Sequence, residues 1–287
     1  MKILLGCTSV NGLGGSEMYH YELAKELTLQ GNDLTLFTLR KIEYSDPLRE
    51  KLSEMKIKQI DLTTFVPDTY DIIVASQPEV NKFLIERIQE TPVISIIHSE
   101  VRAEDPLIHP RIVHYVCIRQ PITDLLVNHY KIPQEKVSLI YNPIDKTRFN
   151  QEGLNKTGKL TGLFIGGAKD NLRVNTLYHI VSQCIENDWD LWIMSYDKLS
   201  YTHPNIKYIP PCMETEYYVK QVDFTVGILM GRTTLEGWCC GVPGYMYIVN
   251  PYGEILSIET EEPSSITELC ESKYVASQHL ELYKKFI

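Results

Sequence analysis

One stretch of this chain makes its chemistry most legible: Gly231-Arg232-Thr233-Thr234-Leu235-Glu236-Gly237-Trp238-Cys239-Cys240-Gly241-Val242-Pro243. It follows an apolar run of strand length, opens with glycine and hydroxyl residues that suit a helix cap, and stops at Gly241 before Pro243. A helix starting there aims unpaired backbone N–H groups and the positive end of its dipole at a strand's carboxyl edge. That setting suits a diphosphate and implicates Gly231, Thr233 and Thr234. Glu236 follows one turn later. An ionised carboxylate only accepts hydrogen bonds, so it can take two from the 2′,3′-diol of a ribose. The same spacing also describes a capping helix whose glutamate favours the dipole and does nothing more. A second turn, Gly12-Leu13-Gly14-Gly15, has Glu17 where a dinucleotide fingerprint would need its third glycine. It still places backbone N–H groups beside an anion, or else is a plain strand-to-helix turn.

These residues need a frame that sets strand ends against helix starts. An apolar run at 2–8, the glycine turn, a helix at 16–29 capped by Ser16 and ended by Gly31, and a strand at 33–39 read as an opening βαβ. Further strands are expected at 71–75, 92–98, 114–118 and 137–141, with helices at 79–89 and 121–130. Continuous Ile/Val/Leu runs of this kind suit strands buried on both faces. The polar stretch 150–159 reads as a linker. Alternation then restarts: strands at 160–165, 191–194, 206–209, 224–229 and 244–249, with helices at 172–186, 214–222 and 233–240. The expected division is 1–150, 151–272 and a closing helix at 273–287. The fold class is α/β: two Rossmann-like, doubly wound domains facing a cleft, with ligand at the carboxyl ends of the strands.

Composition narrows the functions. The chain has 287 residues and a net charge of −9, about −3 in residues 1–150 and −6 in 151–287. That argues against a nucleic-acid binder or an anionic-membrane binder, whose surfaces need excess Lys and Arg. Seven scattered cysteines show no Cys-x-x-Cys spacing, so no zinc knuckle is expected and a cytoplasmic location is. The apolar stretch before Cys7 is too short for a signal peptide and reads as a first buried strand. No window is long and apolar enough for a membrane span.

The ordered motifs resemble the family-4 glycosyltransferases of the GT-B type, which transfer sugars from nucleotide diphosphosugars. Gly14-Gly15-Ser16-Glu17 with Glu22-Leu23-Ala24-Lys25-Glu26-Leu27 is similar to the family's Gly-Gly-x-Glu loop and first helix. Tyr141-Asn142-Pro143-Ile144-Asp145 with Arg148-Phe149 looks like its interdomain segment, and Glu236-Gly237 through Gly241-Val242-Pro243 like its donor helix. The resemblance implies a hexosyltransferase using a UDP- or GDP-sugar on a saccharide or other polar acceptor, with retention of configuration and no metal or other cofactor. Glu236 would hold the ribose, and Gly14 and Gly15 would face diphosphate and acceptor. His98, at a strand's carboxyl edge, would contact the donor sugar. Asn142, Gly166, Gly167, Gly231, Arg232, Thr233 and Thr234 would complete the donor site. Lys169, Arg173 and Arg232 are the candidate cations for the leaving diphosphate, whose growing negative charge a cation stabilises. Acceptor contacts would come from loops at 41–46 and 100–110.

The chain departs from the family at Ile228, where a second glutamate is usual, at Pro143 in place of glycine, and at Gly167 in place of arginine. These departures keep a second reading open: a catalytically degenerate relic that binds a nucleotide or a protein. Asp188-Trp189-Asp190 has the Asp-x-Asp pattern of metal-dependent transferases, but it precedes a strand rather than following one and reads as a turn.

Overall fold

The computed structural model describes residues 1–42, 47–100, 105–156, 158–167, 171–200, 202–249, 254–260 and 264–287. The chain divides into two compact units, residues 1–143 with 269–287, and residues 144–268.

The first unit is a seven-stranded parallel sheet. Its strands are β1 (Lys2–Cys7), β2 (Asp33–Thr38), β3 (Lys58–Asp61), β4 (Ile72–Ser76), β5 (Val93–Ile97), β6 (Ile112–Cys117) and β7 (Val137–Leu139). They lie in the order β3-β2-β1-β4-β5-β6-β7, so the winding reverses between β1 and β4. Leu4 of β1 pairs with Thr35 on one side and Ile73 on the other. Strands enclosed in this way must be apolar on both faces, and every residue of β4 and β5 is buried. The helices are α1 (Gly15–Leu29), α2 (Arg49–Glu54), α3 (Pro78–Arg87) and α4 (Gln120–Asn128). Gly31, at φ 82°, ends α1 as its position promises, donating its N–H to Thr28 O at 2.9 Å.

The second unit repeats the plan. The helices α5 (Asn171–Glu186), α6 (Thr215–Val219), α7 (Arg232–Cys239) and α8 (Ser264–Leu269, whose last residue joins the first unit) accompany six strands. These are β8 (Thr161–Ile165), β9 (Asp190–Met194), β10 (Ile206–Ile209), β11 (Phe224–Ile228), β12 (Gly244–Val249) and β13 (Ile255–Thr260), ordered β10-β9-β8-β11-β12-β13. Again the order reverses between the first and fourth strands, here β8 and β11. All pairings are parallel except β12 with β13.

Several expectations change on contact with the structure. Ser16 does not cap α1. The helix starts at Gly15 with Gly14 as its N-cap, and the Ser16 hydroxyl donates to Glu17 Oε2 at 3.1 Å. The α2, β3, α8 and β13 elements have no counterpart in the sequence reading. They run four to six residues, and the mostly exposed β13 carries no buried apolar run. The contact division falls at 143/144, ahead of the polar 150–159 stretch. Ile144, Asp145 and Phe149 are buried, and Arg148 bonds Glu216 Oε2 at 2.6 Å and the Met213 carbonyl, which ties the segment to the second unit. The closing helix, α9 (Ser272–Tyr283), belongs to the first unit, where Ser272 Oγ donates to Glu26 Oε1 at 3.2 Å. No helix among the described residues is long and apolar enough to cross a membrane.

Docking α9 on α1 buries a polar cluster. The Tyr19 hydroxyl lies 2.8 Å from His279 Nε2, and the Tyr283 hydroxyl lies 3.1 Å from His279 Nδ1. Burial pushes His279 down to about 3 and His20 to about 4, while burial and then the Lys285 charge bring His114 to about 4. The unfolded chain takes up these protons near 6.5, so between about 6.5 and 4 it binds more protons than the folded chain, and stability rises with pH. Asp61, held to about 2 mainly by hydroxyl and backbone N–H donors against the opposing effect of burial, contributes loss only below its unfolded value of 3.8. The urea midpoint should therefore fall steadily from about pH 7 to about pH 5. A midpoint independent of pH over that interval would show that these imidazoles are not held neutral.

Candidate functional site

In the second unit the expected donor residues come together at the β8/β11 reversal. Leu229, at φ 63°, turns the chain out of β11, and its N–H donates to Tyr247 O at 3.0 Å. A left-handed leucine is strained, and such strain clusters where a site dictates the backbone. Gly231 is the N-cap of α7 and no side chain caps the helix. Helix geometry leaves its first N–H groups without intrahelical acceptors. The threonine hydroxyls do not act as caps, contrary to expectation. Thr233 Oγ1 donates to Ile165 O at 3.1 Å, pinning the first turn of α7 to the end of β8 beside Gly166 and Gly167. Thr234 points inward, where a Cβ on Gly227 would lie 2.9 Å from its hydroxyl.

Glu236 and Arg232 form a buried ion pair one turn apart. Arg232 Nη2 and Nε donate to Glu236 Oε1 at 3.0 and 3.2 Å, with both side chains no more than 7% exposed. A cation at a helix N-terminus opposes the dipole. The glutamate offsets it, and the guanidinium in turn holds the carboxylate in place. The sequence reading named both residues but not their pairing.

In the first unit the glycine loop follows β1 at the β1/β4 reversal, and His98, after β5, is linked to the end of β4 through Ser76 and packs against Tyr19 of α1. Gly15 is open: a Cβ there would touch nothing within 4 Å, whereas at Gly14 it would meet Glu17 Oε2 at 2.6 Å. His98 follows β5 and lines a small hollow with Gln77, Pro78 and Pro106. Gln77, at φ 62°, makes the turn from β4 into α3, and its Oε1 accepts from Thr8 N–H at 3.2 Å. Three residues at this site carried no sequence signal. Ser76 Oγ lies 3.0 Å from His98 Nε2 and 2.9 Å from His20 Nε2. Arg119, buried at the start of α4, donates through Nε to Glu100 Oε2 at 2.9 Å. Burial, then His20, then Arg119 keep the His98 imidazole well below its ordinary value and hence neutral.

Arg173 lies exposed in the first turn of α5, and Asn142 is buried at the end of the first unit's chain. Lys169 lies outside the described residues, as do residues 43–46 and 101–104 of the expected acceptor loops. Asp188 and Asp190 both pair with Lys159 Nζ at 2.9 Å, at the amino end of β9 and away from the strands' carboxyl edge. Among the described residues no group of three His, Cys, Asp or Glu side chains is placed to hold a metal ion.

No family model matches the chain, and no curated protein sequence matches it. Solved structures do. A glycosyltransferase from Rickettsia africae ESF-5 superposes with a TM-score of 0.66 at 13% identity, covering 99% of this chain and 98% of that one. The fold is GT-B. The lipopolysaccharide outer core galactosyltransferase WaaB matches at 0.58 and 15% identity, over 100% of this chain and 94% of that one. The starch synthase IV catalytic domain from Arabidopsis thaliana, bound to ADP and acarbose, matches at 0.57 and 9% identity, over 99% of each. The GT-B likeness therefore runs the length of the chain and takes in both units.

The ion pair within α7 gives a direct test. Arg232→Met strands the Glu236 carboxylate in a buried site and should destabilise by about 3–5 kcal/mol, whereas Arg232→Met with Glu236→Gln should recover most of that loss. Equal destabilisation of the single and double variants in denaturant titrations would mean that the pair does not hold the helix start.

Proposed function

We propose that this chain is a glycosyltransferase that moves a hexose from a UDP- or GDP-sugar to a saccharide or other polar acceptor, with retention of configuration and without a metal. The observation that carries the reading is the uncapped first turn of α7, tied by Thr233 to the end of β8, with Glu236 one turn behind it. Orphan N–H groups and a helix dipole provide the charge complement that a diphosphate needs. Glu236, fixed by Arg232, offers a carboxylate for the ribose diol. As the bond to the sugar breaks, negative charge builds on the departing nucleoside diphosphate. Arg232 and Arg173, together with the α7 dipole, stabilise it at that moment. Neutral His98 and the open Gly15 turn belong to the sugar and acceptor side of the reaction.

The structural neighbours support the reading through what they carry: WaaB is a galactosyltransferase, and an Arabidopsis thaliana protein, UGT89C1, at TM-score 0.56 and 12% identity, is complexed with UDP. A metal is dispensable in this scheme because helix N–H groups and arginines do the neutralising.

UDP, GDP, ADP and TDP should be tested for thermal stabilisation of the wild type and Glu236→Ala, followed by an assay for sugar transfer. A ligand at about 100 times its Kd stabilises the folded state by roughly 2.7 kcal/mol, enough to move Tm visibly. One nucleotide should stabilise the wild type and lose its effect in Glu236→Ala. A flat panel would sink the reading. Binding without sugar consumption across a broad donor panel would make the chain a nucleotide-binding relic instead.

A further inference from the structure

His98 stands at the end of a buried chain of hydrogen bonds whose direction can be worked out atom by atom. His20 Nδ1 lies 2.7 Å from the Ser16 carbonyl oxygen, which can only accept, so this nitrogen carries the proton. His20 is neutral, and its Nε2 therefore has the lone pair. Ser76 Oγ, 2.9 Å away, donates its single proton there. With that proton committed, Ser76 Oγ can only accept from His98 Nε2 at 3.0 Å. His98 Nε2 thus carries a proton, and on a neutral ring Nδ1 is left as the acceptor. No described residue bonds that nitrogen, and His98 lines the hollow behind Pro78 and Pro106. Tyr19 packs edge-on against the His98 ring, with centroids 4.9 Å apart and planes at 88°, which holds the plane of the imidazole, while the Ser76 bond sets which nitrogen faces inward.

We infer that Ser76 and His20 are positioning residues that hold His98 as its Nε2–H tautomer, so that Nδ1 accepts a hydrogen bond from a hydroxyl of the sugar being transferred. The tautomer half stands on the first unit alone, while the sugar half rests on the function proposed above. The assignment gives His98 a definite chemistry. It reads a hydroxyl as an acceptor and neither supplies a proton nor carries charge against the diphosphate. Ser76 earns its place at the end of β4 by orienting a ring it does not share an element with, and His20 by fixing which way the serine points.

Long-range ¹H–¹⁵N correlation spectra of protein labelled on histidine nitrogen read the tautomer directly, with His98→Gln identifying the resonances. The wild type should show His98 with a protonated Nε2 and an unprotonated Nδ1. Ser76→Ala should shift both resonances toward intermediate values as the two tautomers exchange, and Ser76→Thr, which keeps the hydroxyl, should restore them. In sugar transfer, Ser76→Ala should lose roughly tenfold in kcat, the scale of one hydrogen bond, with little change in nucleotide affinity. A wild-type His98 protonated at Nδ1 overturns the tautomer half whether or not any variant folds. A Ser76→Ala spectrum identical to wild type removes Ser76 from the chain. Wild-type protein that binds nucleotide and transfers nothing overturns the sugar half together with the preceding reading, with the measured tautomer untouched.

Discussion

The candidate site of the second unit depends on how closely α7 lies against β11 and β12. Three glycines and two threonines set that distance. A Cβ on Gly237 would sit 2.6 Å from Thr225 Oγ1 and 3.2 Å from Val242 O, and one on Gly244 would sit 2.7 Å from Thr234 Cγ2. With no side chain to hold the layers apart, the helix start reaches the carboxyl edge of the sheet, where Thr233 can bond Ile165 O. A larger residue at any of these positions pushes the helix outward and takes its N–H groups, and the Arg232–Glu236 pair, away from Gly166 and Gly167. The left-handed Leu229 is the backbone side of the same constraint, since a close helix leaves few residues for the turn into it.

The first unit meets the same requirement differently. Gly6 lets α3 approach the sheet, with a Cβ there 2.9 Å from Leu84 Cδ1, and Gln77 makes the tight turn that α3 needs. The candidate group at this edge is a side chain instead of a helix end. A histidine has two nitrogens and a ring that can flip, so it needs partners that a helix N-terminus does not. Ser76, His20 and Tyr19 provide them, and burial keeps the group neutral. Two units of one plan thus set different groups at corresponding sheet edges: a helix start with a buried ion pair in one, a buried neutral imidazole in the other.

The alternation of buried strands with helices was legible because enclosed parallel strands must be apolar on both faces, as in 72–76 and 93–97. Gly31 and Gly241 were legible as helix stops because few other residues take their φ of 82° and 71°. Glu236, the glycine loop and His98 stood out through residue type and place in the chain. What stayed hidden was long-range. Ser76 and His20 are unremarkable until β4 and α1 bring them to His98, and Arg119 looks like any surface cation until it is buried at the start of α4. Hydroxyls misled for a related reason: Ser16, Thr233 and Thr234 have the composition of caps, but glycines already occupy both cap positions; Ser16 and Thr233 turn to nearer partners, and Thr234 packs inward against the glycines of the sheet. The edge strand β13 was invisible because all six of its positions face partly or fully outward and its pattern is not that of a core strand.

The chain leaves the first unit at Pro143 and returns to it at Leu269, so the second unit is one uninterrupted stretch set inside the first. The ribosome therefore finishes the second unit before it finishes the one it began with. Until α9 emerges, Tyr19 has no His279 to meet and Glu26 no Ser272, and the flank of α1 that carries them stays wet. The unit begun first is the unit completed last, and a nascent chain stalled between residues 268 and 272 holds a whole second unit and a first one still missing a wall.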